Sequence, residues 1–267
     1  MKTITIFTPT YNRAYILHQL YDSLCRQTTK DFEWLIVDDG STDETEQMIH
    51  HWILENRISI RYYKTANGGK NRAINKGVTL SNGELFFIVD SDDYLTDNAV
   101  KLVLDYWATI KDKSHYSGVC GRKMHSNGEL LGGNIKSYDV IDSDNITFHY
   151  ILGINADIAE VFRTDLLREH PFPVAVGEKF VPEALIWNKL TNLYPMRYFN
   201  IGIYVCEYLP DGYTCNLKRN LKQNPKGFGL YYKSMLLNRR KLPIRLRIKS
   251  LLRVCQCKYY NLIKNLR

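Results

Sequence analysis

The sequence predicts an α/β fold, in which a mainly parallel β-sheet is flanked by helices and followed by a basic helical tail. Over about the first 110 residues, short apolar and β-branched runs alternate with segments whose apolar residues recur at helical spacing, which is typical of βαβ units. The composition, 45% hydrophobic and 24% charged, is that of a folded globular protein. The charge is unevenly divided, because Lys218–Arg267 contain 15 Lys and Arg but no Asp or Glu, whereas residues 1–217 carry a net charge of −7.

The length of 267 residues suits one large domain, or one domain with an appendage. We therefore expect residues 1–217 to form one α/β domain and residues 218–267 to form the basic tail. No apolar run reaches the ~18 residues that span a bilayer, so we do not expect an integral membrane protein. The N-terminal segment lacks the long apolar stretch of a secretory signal, which predicts a cytoplasmic location.

The first predicted strand, Thr3–Thr8, alternates β-branched and apolar residues and is expected to end at Pro9. A helix over Ala14–Gln27 follows, with leucines at helical spacing. The next strand, Glu33–Val37, is short and mostly apolar, as expected for a strand buried on both faces of a parallel sheet.

The alternation of helices and strands continues to about residue 110 and is less regular after residue 115. The remaining predicted elements are a helix reaching about Glu55, a strand over Ile58–Tyr63, a helix to about Leu80, a strand over Glu84–Val89, a helix to about Ile110, strands over Tyr116–Cys120 and Ile158–Arg163, and a helix over Pro182–Leu193.

Polar clusters follow the first four predicted strands, at the point where each strand ends. They are Thr8–Arg13, Asp38–Asp43, Thr65–Arg72 and Asp90–Asp93. Because ligands of parallel sheets bind beyond the carboxyl ends of the strands, we expect the four clusters to converge on one site.

The acidic cluster Asp90–Asp93 is the expected chemical centre of that site. Carboxylates this close repel one another unless a cation neutralises them. A hard divalent ion such as Mg²⁺ or Mn²⁺ prefers oxygen ligands and completes its shell with substrate phosphates and water. A solvated acidic turn is the alternative interpretation.

The two other loops suit a nucleotide. Asp38 and Asp39 follow a buried strand and point to a contact with a base or ribose, or to a cluster that caps the next helix. The segment Asn67–Arg72 combines flexible glycines, helix N-terminal amides and two cations, which suits a diphosphate. Its pattern is not that of a dinucleotide-binding dehydrogenase, because it lacks GxGxxG and follows the third strand.

Together these motifs resemble family 2 glycosyltransferases, which have the GT-A fold. The motifs that carry the resemblance occur in the family's order and spacing, and they are Thr8–Arg13, Val37–Asp43, Asn67–Gly77 and Asp90–Asp93. The resemblance is close over residues 1–110 and looser over residues 150–200.

The resemblance implies transfer of a sugar from a nucleotide donor, usually UDP-linked, with inversion at the anomeric carbon. It implies that Asp92 is the principal ligand of Mn²⁺ or Mg²⁺ and that Asp90 faces both the ribose and the metal. The implied nucleotide-sugar-binding residues are Thr8, Pro9, Tyr11, Arg13, Asp38, Asp39, Asn67, Gly69, Lys70, Arg72, Asn75, Asp90 and Ser91. The sequence departs from the family at Ile74, where many members have Arg, and Lys70 or Arg72 is expected to supply that charge.

The resemblance also implies a general base at the start of a helix in the second half of the chain. Glu183 is the candidate, although the next residue, Ala184, replaces the Asp that often follows in the family. Glu178 is the second choice, and an electrostatic role of Glu183 at its helix end is the alternative. Trp187 lies one turn further on, where it would either stack on a sugar ring or pack in the core.

The basic tail predicts an amphipathic helix. After Pro243, apolar residues form a helical stripe that consists of Ile244, Ile248, Leu251, Leu252, Cys255, Tyr259, Leu262, Ile263 and Leu266, with Lys and Arg on the other faces. This pattern favours binding of residues 244–267 to an anionic membrane surface. Docking on the acidic domain is the alternative, and nucleic acid is disfavoured because phosphates do not require an apolar stripe.

We therefore expect a metal-dependent inverting glycosyltransferase, bound peripherally at the inner face of the cell membrane, which adds one sugar to a saccharide acceptor. The membrane-binding tail favours a lipid-linked acceptor of bacterial surface polysaccharide synthesis. The absence of spanning segments and of a Gln-x-x-Arg-Trp motif disfavours a processive synthase. Two alternatives are a nucleotidyltransferase, which Thr8–Arg13 disfavours because it lacks Gly, and a non-catalytic module that binds membrane or RNA through its tail.

Overall fold

The computed structural model describes residues 2–132, 138–206, 217–238, 240 and 242–265. In this part of the chain, nine strands form one sheet and nine α-helices accompany it. The strands are β1 (Ile4–Thr10), β2 (Phe32–Asp38), β3 (Ile60–Lys64), β4 (Leu85–Ile88), β5 (Tyr94–Leu95), β6 (Gly118–Met124), β7 (Val140–Ser143), β8 (Ile158–Arg163) and β9 (Met196–Val205). The helices are α1 (His18–Arg26), α2 (Thr45–Glu55), α3 (Lys70–Leu80), α4 (Ala99–Ala108), α5 (Thr164–Glu169), α6 (Ala184–Leu193), α7 (Leu217–Gln223), α8 (Pro225–Leu236) and α9 (Ile244–Asn265).

The strand order is β3-β2-β1-β4-β8-β6-β9-β5, and β7 pairs with β9. The first four strands are parallel, as the alternation of helices and strands predicts. Strand β8 runs antiparallel to both β4 and β6. The predicted α/β class with a mostly parallel sheet is therefore confirmed, and the antiparallel strand β8 comes from the less regular half of the sequence.

Strand β1 extends through Pro9 to Thr10, beyond its predicted end. Pro9 has no backbone N–H, and its position in β1 faces β4 rather than β2. The last bond to β4 is donated by the Val89 N–H to the Phe7 carbonyl. Pro9 therefore ends the β1–β4 ladder without interrupting the pairing of β1 with β2, which continues to Thr10 and Asp38.

The core lies on both faces of the sheet. One apolar cluster packs beneath α1, α2 and α4, and a second packs beneath α3, α5 and α6. Every residue of β1 and of β2 is buried, which confirms the prediction that β2 is covered on both faces.

Gly77 sets the approach of α3 to the sheet. A Cβ atom at this position would lie 2.1 Å from the ring of Phe7 in β1, closer than any side chain allows. The glycine of the Asn67–Gly77 motif is therefore a packing requirement, and it lets the N-terminus of α3 reach the ends of the strands.

The basic segment packs against the rest of the chain. Helices α7, α8 and α9 contact one another, and α8 also contacts α6. Leu221, Phe228, Tyr232 and Cys257 form a small apolar cluster between them. Among the described residues, no helix is both long enough and apolar enough to cross a bilayer.

Candidate active site

The loops after β1 and β2 are joined by hydrogen bonds. Asn12 has a left-handed backbone (φ 51°); its N–H donates to Ser41 Oγ at 2.9 Å, and its Oδ1 accepts from the Thr42 N–H at 2.8 Å. The Arg13 N–H donates to Thr45 Oγ1 at 3.2 Å. Two of the four predicted polar clusters thus form one connected surface at the carboxyl edge of the sheet.

Asp38 supports this surface from below. Its side chain is fully buried, and its two oxygens accept from the Ser41 N–H and the Tyr62 hydroxyl, each at 2.7 Å. Burial and the Asp38 charge raise the pKa of Tyr62. Both oxygens of Asp38, which was expected to bind the nucleotide, are hydrogen-bonded within the protein in this structure.

Asp39 orders the glycine loop. Its oxygens accept from the N–H groups of Gly68 and Gly69, each at 2.7 Å. Gly69 has a φ of 96°, and a Cβ atom there would lie 2.1 Å from the carbonyl oxygen of Lys179. The amides that the sequence predicts for a diphosphate are therefore bonded to Asp39 in this conformation.

Helix α3 holds the loop of residues 172–181 through two more of the predicted site residues. The Arg72 guanidinium donates to the carbonyls of Ala175 (3.1 Å) and Glu178 (2.8 Å), and also to that of Gly68. Asn75 exchanges two 2.9 Å bonds with the backbone of Phe172. Arg72 and Asn75, which were expected to bind the nucleotide sugar, therefore use their polar atoms on this loop in this structure.

Lys70 lies at the centre of the site. Its ammonium is 2.6 Å from Asp90 Oδ1 and 2.8 Å from Glu183 Oε1, and it is therefore the cation that joins the two halves of the chain. Asn71 fixes the loop beside it by two bonds to the backbone of Val181, at 3.0 and 2.7 Å. Of the two cations expected to replace the family's Arg at position 74, Lys70 is the one that faces the acids.

The charges of neighbouring residues shift the pKa values of Lys70 and Asp90. Burial acts to lower the pKa of Lys70, but the charges of Asp90 and Glu183 outweigh it and raise that pKa. Burial acts to raise the pKa of Asp90, but the charges of Lys70 and Lys123 outweigh it and lower that pKa. Lys70 and Asp90 are therefore held in their charged forms.

Asp92 differs from Asp90 because its carboxylate has no ion-pair partner among the described residues. Burial, followed by the charge of Asp90, raises the pKa of Asp92. A divalent cation would relieve both effects. Within the described ranges, no group of three His, Cys, Asp or Glu side chains forms a complete cation site. A cation held by Asp92 and Asp90 would have to draw its other ligands from phosphate and water.

Tyr204 supports Asp90 and was not predicted from the sequence to lie at the site. The Tyr204 hydroxyl accepts from the Asp90 N–H at 3.0 Å and donates to Asp93 Oδ2 at 2.6 Å. The ammonium of Lys123 lies 4.1 Å from the centre of the Tyr204 ring. Burial and the Asp90 charge raise the pKa of Asp93 to about 7. Tyr204 is in β9, and no motif in the sequence connects that strand with the acidic loop.

Glu160 was also not predicted to lie near the site, although its position in the sequence is unusual. It is an acid within β8, a strand that is otherwise mostly apolar. Burial raises the pKa of Glu160 to about 7, although the charge of Lys123 opposes this. A charged residue within an otherwise apolar strand is unusual, and this feature could have indicated that Glu160 lies near the site.

The other residues expected to bind the nucleotide differ in how exposed they are. Thr8 is buried, and its Oγ1 accepts from the Trp34 indole N–H at 3.0 Å. Pro9 and Ser91 are also buried, Tyr11 is exposed, and Asn67 accepts from the Lys179 ammonium. Arg13 donates to the Tyr15 hydroxyl at 2.9 Å, and its charge contributes to lowering the pKa of Asp90.

Two further residues expected at the site are buried. Glu178 accepts hydrogen bonds from the N–H groups of Lys226 and Gly227, each at 2.9 Å, and so caps the start of α8. Trp187 stacks on Phe162 in the core, with ring centres 4.5 Å apart. Glu183, in contrast, makes no side-chain cap on its helix.

The tail helix has two different faces. Ser250 and Cys257 are buried against α8, with Val254 and Leu246 partly buried beside them. The opposite face exposes a stripe of apolar residues, which we call the tail stripe and which consists of Ile244, Ile248, Leu251, Leu252, Tyr259 and Leu262. The residues that break the predicted stripe, Leu246 and Val254, are those that dock. Leu266 of the predicted stripe lies outside the described residues.

A family model and several known proteins are similar to this chain. The model of glycosyl transferase family 2 matches residues 5–154. Glycosyltransferase GlyG of Streptococcus pneumoniae serotype 4 is 26% identical over 161 residues, 60% of this chain and 47% of that protein. A GalNAc(5)-diNAcBac-PP-undecaprenol beta-1,3-glucosyltransferase of Campylobacter jejuni is 26% identical over 206 residues, 75% of this chain and 62% of that protein. The chain therefore spans less than two thirds of the length of either relative.

Two solved structures share the fold. Staphylococcus aureus TarS 1-349 in complex with UDP-GlcNAc superposes with a TM-score of 0.68 at 20% identity, covering 97% of this chain and 72% of that one. A mannosyltransferase of Pyrobaculum calidifontis in complex with GDP-Man and Mn²⁺ superposes with a TM-score of 0.61 at 16% identity, covering 96% and 73%. These likenesses confirm the GT-A arrangement of sheet and helices.

Glu160 generates a prediction about pH and stability. Its pKa is about 7 in the folded protein against 4.5 ordinarily, so folding favours the protonated form. Its stabilising contribution is complete below about pH 4.5 and is lost as the pH rises through about 7. In Glu160→Gln, the free energy of unfolding measured in urea should decline less between pH 4.5 and 8 than in the wild type. The exposed Glu129→Gln is the control, and an equal decline in all three proteins would contradict the assignment.

Proposed function

Because the chain belongs to glycosyl transferase family 2, we propose that it transfers one sugar from a UDP-linked donor to a saccharide acceptor, with inversion at the anomeric carbon. The observation that carries this proposal is the contact of one ammonium, that of Lys70, with Asp90 and Glu183. It joins the residue expected at the donor to the residue expected at the acceptor. The neighbour solved with UDP-GlcNAc supports a UDP-linked donor.

Glu183 is the proposed general base. Inverting transfer requires a group that accepts the proton of the acceptor hydroxyl while the sugar moves to it. Glu183 stands at the start of α6 with its side chain partly buried and its Oε1 2.8 Å from the Lys70 ammonium. Lys70 balances the two carboxylates until substrates enter, and it then offers a positive charge to the diphosphate of the donor.

The donor half of the site is built on Asp39, Asp90 and Arg13. The loop that Asp39 orders lies beside α3, and Arg13 is close enough to affect the pKa values of both Asp90 and Asp92. We propose that Tyr11, which is exposed at the rim, borders the base of the nucleotide.

We further propose that the enzyme uses Mn²⁺ or Mg²⁺, held by Asp92 and Asp90. When bound, such an ion stabilises the negative charge that develops on a leaving diphosphate. The unpaired carboxylate of Asp92 and its raised pKa support the assignment. Family 2 enzymes commonly use divalent ions, and one structural neighbour was solved with Mn²⁺.

The base assignment predicts a loss of turnover without a loss of binding. In Glu183→Gln, kcat for UDP release from the donor should fall by roughly 10²- to 10⁴-fold, because the amide accepts no proton. UDP affinity, measured by calorimetry, should stay within about twofold, since one neutral oxygen remains near Lys70. Glu178→Gln is the matched control, in which stability falls and kcat is retained. Full turnover by Glu183→Gln would place the base elsewhere.

The metal assignment predicts that Asp92→Ala abolishes Mn²⁺-dependent donor turnover. UDP should also no longer raise the thermal midpoint more strongly with Mn²⁺ than without it, because the ion loses its principal protein ligand. Asp105→Ala, which removes an exposed acid of α4, is the control. If Asp92→Ala turned over the donor at the wild-type rate with the same Mn²⁺ dependence, the metal would not be held at this position.

We also propose that the protein binds peripherally to an anionic membrane through the tail stripe. Most of the cations of α9 lie on either side of that stripe in the helical sequence, as in helices that rest in a membrane interface. The helix is docked on α8 by its other face, so the stripe is held outward by the fold.

A membrane location favours a lipid-linked saccharide as the acceptor. The Campylobacter jejuni relative is named for an acceptor on undecaprenol diphosphate, which supports the same class here. Family membership disfavours a nucleotidyltransferase. Binding of RNA is disfavoured because the outward face of α9 is apolar.

The membrane proposal predicts the effect of changing the tail stripe alone. Ile248→Ser/Leu252→Ser should weaken binding to vesicles of phosphatidylglycerol and phosphatidylcholine by about tenfold or more, since each buried apolar side chain contributes ~1.5–3 kcal/mol. Co-sedimentation measures the change. Leu54→Ser, at a residue of α2 that is 83% exposed, is the control. Unchanged co-sedimentation of the double variant would exclude the stripe as the membrane contact.

A further inference from the structure

A cavity of about 780 Å³ lies between α7, α9 and the loop at residues 177–180. We call it the tail cavity. Its lining includes Lys179, Lys222, Lys264, Phe180, Tyr260 and Ile263. None of the acidic residues of the proposed active site lines it, so it is separate from the donor site.

The tail cavity is cationic. It is lined by three lysines, and none of the described lining residues is an acid. The Lys264 ammonium donates to the carbonyls of Gly177 and Gln223, each at 2.9 Å. The Lys222 ammonium lies 5.8 Å from the centre of the Tyr260 ring. These contacts orient the lysines without neutralising them, which leaves a positive field for an anion.

The same cavity has an apolar wall. Phe180, Tyr260 and Ile263 contribute carbon surface next to the three ammonium groups. A simple inorganic anion would leave that surface unused. The combination fits an anionic group that carries an apolar chain, such as a phosphate or diphosphate ester of a lipid.

The tail cavity lies between α9 and the loop that leads to the proposed base, Glu183. Lys179 donates to Asn67 of the glycine loop, and Phe180 precedes Glu183 by three residues. On the other side, Ile263 and Lys264 follow Leu262, a member of the outward tail stripe. A ligand in the cavity would therefore lie between the tail stripe, which is the proposed membrane contact, and the loop that precedes Glu183.

From this geometry we propose that the tail cavity binds the diphosphate of a lipid-linked acceptor, with Lys222 and Lys264 as its anion ligands. The proposal rests on the glycosyltransferase function proposed above and names the part of the acceptor that is recognised. It gives the basic tail a role in substrate binding in addition to membrane attachment.

Lys222 provides the cleanest test, because its substitution disturbs no hydrogen bond of the fold. Farnesyl diphosphate in neutral detergent micelles is the probe, and calorimetry on the full chain measures its affinity. Lys222→Gln should weaken binding by about tenfold, the usual effect of losing one charge-assisted contact. Lys222→Arg should retain most of the affinity, and Lys264→Gln should weaken it as well. Lys233→Gln, which removes an exposed lysine of α8 outside the cavity, should bind as the wild type does.

Three further measurements separate the sources of the anion. Inorganic diphosphate should bind much more weakly than farnesyl diphosphate, and equal binding would overturn the lipid assignment. Vesicles containing phosphatidylglycerol should bind Lys222→Gln and the wild type alike, and a parallel loss would assign the cavity to bulk membrane lipid instead. UDP should not displace farnesyl diphosphate, and displacement would place the probe in the donor site.

Mn²⁺-dependent release of UDP from the donor is measured in the same variants. It should be unchanged in Lys222→Gln, because Lys222 lines the tail cavity and neither Asp92 nor Glu183 does. Loss of lipid diphosphate binding with normal UDP release supports the tail cavity as an acceptor site. Equal farnesyl diphosphate affinity in Lys222→Gln and the wild type would overturn it, and would leave the proposed donor chemistry untouched.

Discussion

The contact of Lys70 with Asp90 and Glu183 is the interaction on which the arrangement of the site depends. Two carboxylates this close would repel each other in a half-buried cleft, and one ammonium between them removes that cost. The cation is available because α3 begins at Lys70, directly after the loop that Asp39 orders. A change at any of these points would alter the distance between the expected donor and acceptor groups.

Much of the polar sequence around the site serves to hold this geometry. Asp38, Arg72 and Asn75 are as polar as the residues that face the cleft, yet each uses its atoms on neighbouring backbone or side chains. The loop at residues 172–181 carries no recognisable pattern of its own. It is fixed by side chains of α3, and that attachment delivers Glu183 to Lys70. Residues that contact a substrate and residues that support them therefore cannot be distinguished by type alone.

The tail shows the same division between binding and support on a larger scale. Helix α9 packs one face on α8 and leaves the other face apolar and exposed, which is unfavourable in water unless that face has a partner. Tyr260, Ile263 and Lys264 of the same helix line a cationic cavity. One helix thus carries both the exposed apolar stripe and part of the cavity wall.

The sequence by itself determined the parallel half of the fold, the convergence of acidic loops and the amphipathic tail, because these depend on local periodicity and on motifs within short segments. Only the tertiary structure decided which polar residues surround the acidic loop, since Lys70 and Tyr204 contact Asp90 from other elements and Lys123 lies beside Tyr204. It also placed Trp187 in the core and Glu178 at the start of α8. Such roles depend on what packs against a side chain, and a pattern of residue types does not contain that information.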